Sequence, residues 1–483
     1  MANDPLIRID GVSMSVEAAF AHGMVRGAAA GSFLSDNTRN LPYAELAASL
    51  DAATAALTSA GVQAEDCVSV ECGNVVSAIV LVLALMRQGS SFILAPHTAA
   101  AEIKPVPLFC RCKISVGEGA LPPDPAFITV TPNPAWSGAT MPSGRFMLRT
   151  SGSMGVSKIV VHSHAGMLGN ALNCVARYDF RADSRCSIPV PIAHMYGGGA
   201  ALLPAILAGA SVDVIDKPNI LSLLDHEKRF RPTIAFVTPT ICDMLIKGYK
   251  TPRDMFHVVV TSGQRIGDET FIAFDRAIGG RLVNQYGSSE MGATAACRPD
   301  DSFDQRFRSI GQPMDGVQLE IEGGDRGELL VHHPFGYRGY LDDSGTWLRT
   351  ATPGAPFVTG DVAERDADGA IRVVGRSGSS VNRDGYLVVL EEIERLMETL
   401  PDVASVVVIA TGAGTARGER LAAFCVRVEG SAADGPSIRA QCFDIMPRYA
   451  LPDDVHVLDS LPLLPSGKVD RRALAAGLAQ PEP

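Results

Sequence analysis

The sequence predicts an α/β protein, because strand-like and helix-like segments alternate along most of the chain. From Leu41 the helix pattern YAELAASLDAATAALTSAG is followed by the strand-like CVSVECG, an apolar helix at residues 75–86 and the strand-like SSFILAP. The alternation resumes at ALLPAILAGA and continues through SVDVID, LSLLDHEKRF, TIAFVTP, MFHVVVTSG and RLVNQYG. Strands that alternate with helices of ten or more residues are typical of layered α/β folds with largely parallel sheets.

The C-terminal third has a different pattern. After about Gly311 the segments VQLEIEG, GELLVHH and GAIRVVG are short and interrupted by Gly and Asp, which indicates a small antiparallel barrel or meander. The later segments EEIERLMETL, ASVVVIA and LAAFCVRVEG predict a compact α+β domain. Because GRSGSSVNRDG at residues 375–385 is a Gly- and Ser-rich candidate linker, we expect an N-terminal domain at 1–376, barrel-like at about 305–376, and a C-terminal domain at 377–483.

Composition and charge narrow the function classes. The 483 residues are 46% hydrophobic, enough for substantial cores, and the formal net charge of -11 argues against a nucleic-acid or anionic-membrane surface. The opening MANDPLIRID does not resemble a secretory signal, the apolar run at 75–86 is too short to span a bilayer, and the cysteines form no CxxC pair. We expect a cytoplasmic monomer or homodimer that binds neither nucleic acid nor membrane.

The stretch TSGSMGVSK, residues 150–158, has three alternative functions. Glycines let a backbone approach phosphates, hydroxyl and N–H groups donate hydrogen bonds, and Lys158 adds positive charge. It is not a Walker A loop, since Lys158 follows Ser157 rather than glycine. A serine-nucleophile turn would need glycine where Ser151 stands. The stretch lies between the strand-like FMLRT and the helix-like HAGMLGNALNCVARY. Its sequence alone does not decide between a phosphate-binding loop and a plain turn.

Further motifs decide between these alternatives. In chain order they are TSGSMGVSK, PIAHMYGGG, TSGQRI, NQYGSSE, TGD, VGR and PSGKVDRRAL. Together they resemble the adenylate-forming superfamily of acyl-CoA synthetases, peptide-synthetase adenylation domains and luciferases over nearly the whole chain, and most of all an acyl- or aryl-CoA ligase. The resemblance implies two N-terminal α/β subdomains plus a small β-barrel, followed by a smaller mobile α+β domain. It also implies that a carboxylic acid reacts with ATP, with Mg²⁺ as cofactor, to give an acyl-adenylate and pyrophosphate, and that CoA then accepts the acyl group.

The resemblance assigns nucleotide contacts to most of these motifs. The expected cofactor-binding residues are Thr150, Ser151, Gly152, Ser153, Gly155, Lys158, Ser262, Gly263, Gln264, Asn284, Gln285, Tyr286, Gly287, Ser288, Ser289, Asp361, Arg376 and Lys468. The β- and γ-phosphates would be held by Thr150, Ser151, Ser153 and Lys158. Ser289 would donate to the α-phosphate. Tyr286 would pack against the adenine, while Asp361 would accept hydrogen bonds from the ribose hydroxyls.

Three residues are expected to act in catalysis. Glu290 would bind Mg²⁺, which prefers carboxylate and phosphate oxygens, although such a residue taken alone is typical of a helix cap. Lys468, presented by a Pro-Ser-Gly turn, would bridge the substrate carboxylate and the α-phosphate, although taken alone it is typical of a solvated lysine. His194 would form a wall of the acyl pocket, where a packed or capping histidine is the alternative.

The acid is expected to bind around His194. The expected substrate contacts are His194, Met195, Tyr196, Gly197, Gly263, Gly287 and Ser288. Peptide-synthetase domains for α-amino acids usually carry an aspartate in this region, whereas HMYGGG offers no acid. The resemblance therefore implies an acid without an α-amino group that is aromatic, fatty or otherwise bulky.

Two other patterns argue weakly for a ligand. His162 and His164 form an HxH pair, but no carboxylate or cysteine cluster accompanies them, which disfavours a metal site. GAGTARG mimics a dinucleotide fingerprint, yet its spacing is one residue too long and the strand-like LAAFCVRV follows it, so we expect a surface hairpin.

The chain departs from the family's pattern at several positions. Met154 stands where threonine is usual, so the phosphate loop has one hydroxyl fewer. Gly378 replaces the Asp or Lys of the hinge, which should leave domain rotation possible but less defined. Asn382 replaces a common lysine, and Leu387 stands where Gln or Arg often contacts the nucleotide.

These departures keep rival functions open. The same adenylation could be followed by transfer to a carrier-protein phosphopantetheine or to a free amine. An amidase-like serine hydrolase built on Ser151 or Ser153 is a second class, although it leaves YGSSE, TGD and PSGK unexplained. A non-catalytic acyl- or nucleotide-binding homologue is a third.

Overall fold

The protein is described from a computed structural model with side chains. The structure describes residues 7–9, 11–96, 105–117, 119–150, 158–383, 386–415, 418–463 and 469–478, without the side chains of 382, 386, 412–415, 418 and 478. The chain forms two compact units, Met1–Leu319 with Val331–Phe357, and Glu320–Leu330 with Val358–Pro483. The second unit includes residues 358–376, which the sequence analysis assigns to the N-terminal domain. The domain boundary after Arg376 therefore stays a prediction.

The helical segments that the sequence predicts form helices, and the structure contains further helices that were not predicted. The helices are α1 (Val16–Ala30), α2 (Tyr43–Ser59), α3 (Val76–Gln88), α4 (His164–Arg177), a π-helix (Met195–Leu202), α5 (Leu203–Ala208), α6 (Ile220–Phe230), α7 (Pro239–Gly248), α8 (Asp268–Ala277), α9 (Phe303–Arg308), α10 (Leu390–Met397), α11 (Gly435–Ile445) and α12 (Arg471–Leu478). The apolar run becomes α3, which is buried from Val76 to Met86. Within the described residues, no helix has the length and apolarity needed to cross a membrane.

The described strands range from 2 to 13 residues in length. The first are β1 (Ile7–Ile9), β2 (Val12–Met14), β3 (Phe33–Ser35), β4 (Asn40–Pro42), β5 (Cys67–Cys72), β6 (Ser91–Pro96), β7 (Cys112–Val116), β8 (Ile128–Pro132), β9 (Arg145–Thr150), β10 (Lys158–Ser163), β11 (Arg185–Ile188), β12 (Ser211–Val214), β13 (Ile234–Val237) and β14 (Val258–Thr261). The others are β15 (Leu282–Ser288), β16 (Gly292–Ala296), β17 (Gln312–Pro313), β18 (Gln318–Ile321), β19 (Arg326–His332), β20 (Gly339–Leu341), β21 (Trp347–Thr350), β22 (Pro356–Arg365), β23 (Ile371–Arg376), β24 (Ser380–Arg383), β25 (Tyr386–Val389), β26 (Val403–Thr415), β27 (Gly418–Arg427) and β28 (Asp454–Leu458).

A nine-stranded sheet in the first unit has the order β17-β16-β15-β14-β13-β11-β12-β3-β4. Strands β3 and β11 to β15 run parallel, as the alternation of strands and helices predicts. Strand β11 pairs with β12 on one side and β13 on the other, so the direction of strand addition reverses there. In open α/β sheets, ligands bind beyond the carboxyl ends of the strands at such a reversal.

The second large sheet of this unit corrects one expectation. Its order is β21-β20-β10-β9-β6-β5-β7-β8, with parallel β7, β5, β6 and β9 at its centre. Strands β9 and β10 are antiparallel, with Thr150 opposite Lys158. Residues 151–157 thus connect two strands, not a strand and a helix as expected. Three β-branched residues, Ile159, Val160 and Val161, favour the additional strand, and α4 begins only after Ser163, whose side chain accepts a hydrogen bond from the N–H of Gly166.

The second unit contains two smaller sheets. Strands β18, β19, β22 and β23 form a four-stranded sheet where the sequence predicts a small barrel. A five-stranded sheet has the order β25-β24-β27-β26, with β28 beside β27, and α10, α11 and α12 complete an α+β arrangement. Strands β26 and β27 form a hairpin with Thr415 opposite Gly418, which confirms the hairpin predicted for GAGTARG. The α/β fold class with a smaller C-terminal part is confirmed.

Candidate active site

Three predicted motifs follow strands at the carboxyl edge of the nine-stranded sheet. PIAHMYGGG comes after β11, TSGQRI begins at the last residue of β14, and NQYGSSE contains the end of β15. Because these strands are parallel, their carboxyl ends lie at the same edge. The strand order reverses at β11, so PIAHMYGGG lies at the position where α/β sheets bind ligands.

The glycines of PIAHMYGGG allow close packing of the π-helix. A Cβ atom at Gly197 would lie 2.3 Å from the carbonyl oxygen of Pro191, and one at Gly198 would lie 2.5 Å from that of Ile192. Any side chain at these positions would therefore displace the backbone that follows β11. A π-helix is rare and occurs often at functional sites. Its glycines explain how this segment stays compact at the sheet edge.

Asn74 fixes the same segment, and the sequence analysis missed it. The side-chain nitrogen of this buried residue lies 3.2, 2.9 and 3.1 Å from the carbonyl oxygens of Ile188, Val190 and Ile215. Its oxygen accepts a hydrogen bond of 2.9 Å from the N–H of Ile192. In the sequence, an asparagine just before an apolar helix indicates only a capping residue. The sequence therefore does not predict these hydrogen-bond partners.

His194 and Tyr196 differ in what their side chains can do. The Tyr196 hydroxyl lies 3.1 and 2.8 Å from the carbonyl oxygens of Val237 and Val260, at the ends of β13 and β14. It is therefore engaged by the backbone, and burial raises the pKa of Tyr196 well above its usual value. His194 precedes the π-helix and is accessible to solvent, although surrounding protein atoms lower the pKa of its imidazole. A neutral imidazole is thus available at this edge.

The turn after β14 exposes its backbone. Gly263 has a φ of 93°, which favours glycine, and a Cβ atom there would meet nothing within 4 Å. Gly263 and Gln264 are exposed, whereas Ser262 is buried. The structure therefore brings an open glycine turn to the same edge as PIAHMYGGG.

Strand β15 divides its predicted residues between two faces. The side-chain oxygen of Gln285, which is buried, accepts a hydrogen bond of 2.7 Å from the Tyr178 hydroxyl. Asn284 donates to the carbonyl oxygen of Arg306 over 2.7 Å. Tyr286 is half-buried and, by the alternation of a strand, lies on the face opposite Gln285. The first two amides are engaged inside the fold, and their expected contacts with the nucleotide remain predictions.

The end of β15 turns tightly into β16. A Cβ atom at Gly287 would lie 2.1 Å from the carbonyl oxygen of Gly292, so glycine is required for this approach. The Ser288 hydroxyl accepts hydrogen bonds from the N–H groups of Glu290 at 3.2 Å and Met291 at 3.1 Å. The Ser288 side chain therefore shapes the turn that presents Glu290.

Glu290 is oriented by Tyr340, which the sequence analysis missed. The Tyr340 hydroxyl donates to Glu290 Oε1 over 2.8 Å, and within the described chain Oε2 receives no hydrogen bond. Burial and the charge of Glu290 raise the pKa of Tyr340, so the hydroxyl stays a donor. The Glu290 carbonyl oxygen accepts from the N–H of Tyr337 over 2.8 Å. A carboxylate with one oxygen fixed and the other open fits a hard cation such as Mg²⁺.

One face of β10 is directed at this turn. Lys158, Val160 and His162 share a face because side chains alternate along a strand, and Tyr340 of β20 lies opposite Val160. The Lys158 ammonium lies 5.2 Å from the centre of the Tyr340 ring. His162 Nε2 donates to the carbonyl oxygen of Ser289 over 2.8 Å. The lysine that ends the predicted phosphate loop therefore lies in the same cluster as Glu290.

The remainder of the predicted phosphate loop is only partly described. Thr150 ends β9, and its hydroxyl donates to the carbonyl oxygen of Lys158 over 3.3 Å. The predicted residues Ser151, Gly152, Ser153 and Gly155, together with the unusual Met154, lie outside the described residues.

Two buried histidines predict a pH-dependent stability for the first unit. Burial lowers the pKa of His162 and His333 to about 4 each. Between about pH 4 and 6.5 the unfolded chain binds a proton at each imidazole that the folded chain does not bind. The free energy of unfolding should therefore fall as the pH is lowered through this window, by up to about 1.4 kcal/mol per pH unit for each histidine.

Urea unfolding at several pH values measures this slope. We expect His333→Gln to reduce this slope, because only one of the two imidazoles then takes up a proton on unfolding. An equal slope in wild type and His333→Gln would contradict the assignment.

In the second unit, the structure brings Asp361 and Arg376 together. They lie opposite each other on β22 and β23, and Arg376 Nε is 2.9 Å from Asp361 Oδ1. Asp361 is buried and Arg376 is exposed. Gly360 has a φ of 73°, which explains the glycine of TGD, and the Thr359 hydroxyl accepts from the N–H of Asp361 over 3.0 Å. A carboxylate and a guanidinium expected at the ribose are thus neighbours.

The candidate hinge and its neighbours also lie in the second unit. Gly378 is in a short 3₁₀ turn, and a Cβ atom there would meet nothing within 4 Å. Leu387 packs with the apolar cluster of Val362, Val374 and Val389, so it serves the core of this unit. Asn382 lies opposite Leu387 on β24, but its side chain is outside the described residues.

Lys468 is also outside the described residues. The described residues on either side, Leu463 and Val469, form an antiparallel bridge. Arg471, in the first turn of α12, donates to the carbonyl oxygen of Val408 over 2.7 Å and to Glu394 over 2.8 Å. The chain is therefore anchored just beyond the predicted catalytic lysine.

A cavity of about 230 Å³ borders the Glu290 turn in the first unit. Met291, His333, Tyr337 and residues 349–357 contribute to its lining. Among the residues that the structure describes, none of the predicted site residues lines it.

Two family models match the chain. Residues 137–341 match the AMP-binding enzyme family, and residues 392–468 match the AMP-binding enzyme C-terminal domain. The chain belongs to the adenylate-forming superfamily. The predicted family is confirmed, and with it an AMP-forming ligase or a closely related carboxylate-adenylating enzyme.

Curated relatives span several members of this superfamily. The salicylyl-CoA synthase / salicylate adenylyltransferase of a Streptomyces species is 28% identical, over 68% of this chain and 62% of that protein. The indoleacetate–CoA ligase of Aromatoleum aromaticum is 28% identical, over 91% of this chain and 94% of that protein. Triostin synthetase I of Streptomyces triostinicus is 26% identical, over 90% of this chain and 89% of that protein. The chain thus spans nearly all of two of these relatives and less than two thirds of the first.

Solved structures share the fold. ATP-bound MatB from Rhodopseudomonas palustris has a TM-score of 0.74 at 21% identity, covering 96% of this chain and 99% of that chain. The anthranilate CoA ligase AuaEII in complex with anthranoyl-AMP has a TM-score of 0.74 at 19% identity, covering 96% of this chain and 97% of that chain. At these identities the likeness supports the fold alone.

Proposed function

We propose that this adenylate-forming enzyme activates an aromatic carboxylic acid with ATP and passes the acyl group to CoA. The observation that carries the proposal is the set of motifs at the carboxyl edge of the nine-stranded sheet, beginning at the strand where the order reverses. There the segment with His194 and the open turn at Gly263 share an edge with the Glu290 turn. Acid and nucleotide would therefore meet at one crevice of the first unit.

In the first step, a carboxylate oxygen attacks the α-phosphorus of ATP and pyrophosphate leaves. Two anions approach each other, so positive charge and oriented donors must offset their repulsion. Lys158 and the preceding loop would hold the β- and γ-phosphates. Asp361 would accept hydrogen bonds from the ribose, and Lys468 would bridge the carboxylate and the α-phosphate.

Glu290 would hold Mg²⁺ through its open Oε2. Among the described residues, no group of three His, Cys, Asp or Glu side chains is placed to bind a metal ion. Magnesium usually takes one or two carboxylates together with substrate phosphates and water, so a single oriented carboxylate fits this mode. When bound, the ion would supply positive charge at the phosphates.

The choice of an aromatic acid rests on two observations. The segment PIAHMYGGG offers no carboxylate for a substrate ammonium, and its accessible imidazole is kept neutral by its surroundings. Relatives named for aromatic acids include the salicylate and indoleacetate enzymes and a 2-hydroxy-7-methoxy-5-methyl-1-naphthoate–CoA ligase from Streptomyces carzinostaticus, 27% identical over 68% of this chain and 62% of that protein. A carrier-protein phosphopantetheine and a free amine are the alternative acceptors to test.

Pyrophosphate release from the intact protein tests the proposal. Aromatic, fatty and α-amino acids are compared with ATP and Mg²⁺, each with and without CoA, an amine or a phosphopantetheinylated carrier protein, and products are identified by mass. We expect aromatic acids to support release and CoA to yield the thioester. Release with α-amino acids alone would overturn the substrate class, and indifference to CoA would overturn the acceptor. Ester or amide cleavage without ATP would favour the hydrolase instead.

A further inference from the structure

We propose that Tyr340 is a positioning residue that orients the Glu290 carboxylate towards the metal ion and joins it to Lys158. This inference deepens the proposed function, because it rests on Glu290 as the metal-binding carboxylate. Tyr340 would contact neither the acid nor the nucleotide. It would act only through the two side chains that it touches.

The first contact fixes the carboxylate. The Tyr340 hydroxyl is a single donor at 2.8 Å from Glu290 Oε1, which leaves Oε2 as the oxygen available to a cation. The backbone of Glu290 is already fixed on both sides, by Ser288 at its N–H group and by Tyr337 at its carbonyl oxygen. Rotation of the side chain is therefore the freedom that remains, and the Tyr340 hydrogen bond restricts it.

The second contact places the positive charge. The Lys158 ammonium lies 5.2 Å from the centre of the Tyr340 ring, within the range of cation–π attraction. Strand pairing produces this contact, because Tyr340 is opposite Val160 and Lys158 is two residues earlier on the same face of β10. One ring thus lies against the lysine of the phosphate loop while its hydroxyl holds the carboxylate.

This arrangement predicts a measurable loss of metal affinity. Groups that orient a metal ligand, without touching the metal, typically change metal affinity or activity by about 10- to 100-fold when they are removed. Tyr340→Phe keeps the ring that packs edge-to-face on Tyr337 at 5.0 Å, so the fold should persist. It removes only the hydroxyl.

The test is an electron paramagnetic resonance titration of Mn²⁺ in the presence of α,β-methylene ATP, which cannot release pyrophosphate. Mn²⁺ suits the same carboxylate and phosphate oxygens as Mg²⁺. We expect Tyr340→Phe to raise the Kd for Mn²⁺ by about 10-fold or more and Glu290→Gln to raise it at least as much. In the Glu290→Gln background, Tyr340→Phe should add nothing, because a residue that acts through Glu290 loses its effect when that carboxylate is gone.

A matched control separates this role from a loss of stability. Tyr249→Phe removes another tyrosine–glutamate hydrogen bond of the first unit, in which the Tyr249 hydroxyl donates to Glu227 over 2.6 Å. This variant should bind Mn²⁺ within about 2-fold of wild type, and thermal unfolding of each variant checks that it is folded.

The outcomes distinguish the positioning role of Tyr340 from the metal-binding role of Glu290. A wild-type Kd in Tyr340→Phe together with weakened binding in Glu290→Gln would overturn this inference and leave the proposed function standing. Additive losses in the double variant would also overturn it. A wild-type Kd in Glu290→Gln would instead overturn the metal role of Glu290 in the proposed function.

Discussion

Lys468→Ala should slow acyl-adenylate formation by about 10²-fold or more, the scale for losing one preorganised charge donor. The ammonium would bridge the substrate carboxylate and the α-phosphate, where negative charge builds up as pyrophosphate leaves. Transfer of the acyl group from a pre-formed adenylate to CoA should keep its rate, because that step no longer brings the carboxylate and the triphosphate together.

Single-turnover assays of the two half-reactions make this comparison. Arg472→Ala is the matched control, since it removes an exposed positive charge four positions further along the chain. Equal losses in both half-reactions would contradict the assignment of Lys468, as would an equal loss in Arg472→Ala.

Glu290→Gln should lower adenylation by about 10²-fold or more at saturating ATP and raise the Mg²⁺ concentration needed for half-maximal rate. Glutamine keeps the shape of the side chain and an acceptor for the Tyr340 hydroxyl, but it lacks the charge that a hard cation requires. The loss should therefore appear as a change in the response to Mg²⁺.

Initial rates over a Mg²⁺ series measure this effect. Glu269→Gln, an exposed change in the first turn of α8, is the control for loss of a negative charge. An unchanged dependence of the rate on Mg²⁺ in Glu290→Gln would contradict the assignment of Mg²⁺ binding to Glu290.

The fold was predictable because its signals are local. Alternating patterns predicted the strands β12 to β15, and the apolar run became the buried helix α3, whereas β11 was not predicted. Strand β10 was missed because its three β-branched residues lie directly before a longer helical pattern, so the short segment has no boundary of its own.

The candidate site was predictable only in part, because its contacts join distant parts of the chain. Sequence motifs identified Glu290 and Lys158 as site residues. Tyr340 contacts both of them because β10 pairs with β20, and no local sequence pattern predicts that pairing. Asn74 likewise contacts backbone more than a hundred residues away. The sequence also grouped Gln285 with Tyr286, whereas the strand turns Gln285 towards Tyr178.

Acid-dependent exchange of labelled pyrophosphate into ATP, measured without CoA, tests directly whether the protein adenylates a carboxylic acid. It reports reversible formation of an acyl-adenylate and is independent of the acceptor. We predict exchange that requires both Mg²⁺ and an aromatic carboxylic acid. Binding of ATP without exchange in any pool of carboxylic acids would contradict adenylation and favour a non-catalytic nucleotide-binding homologue.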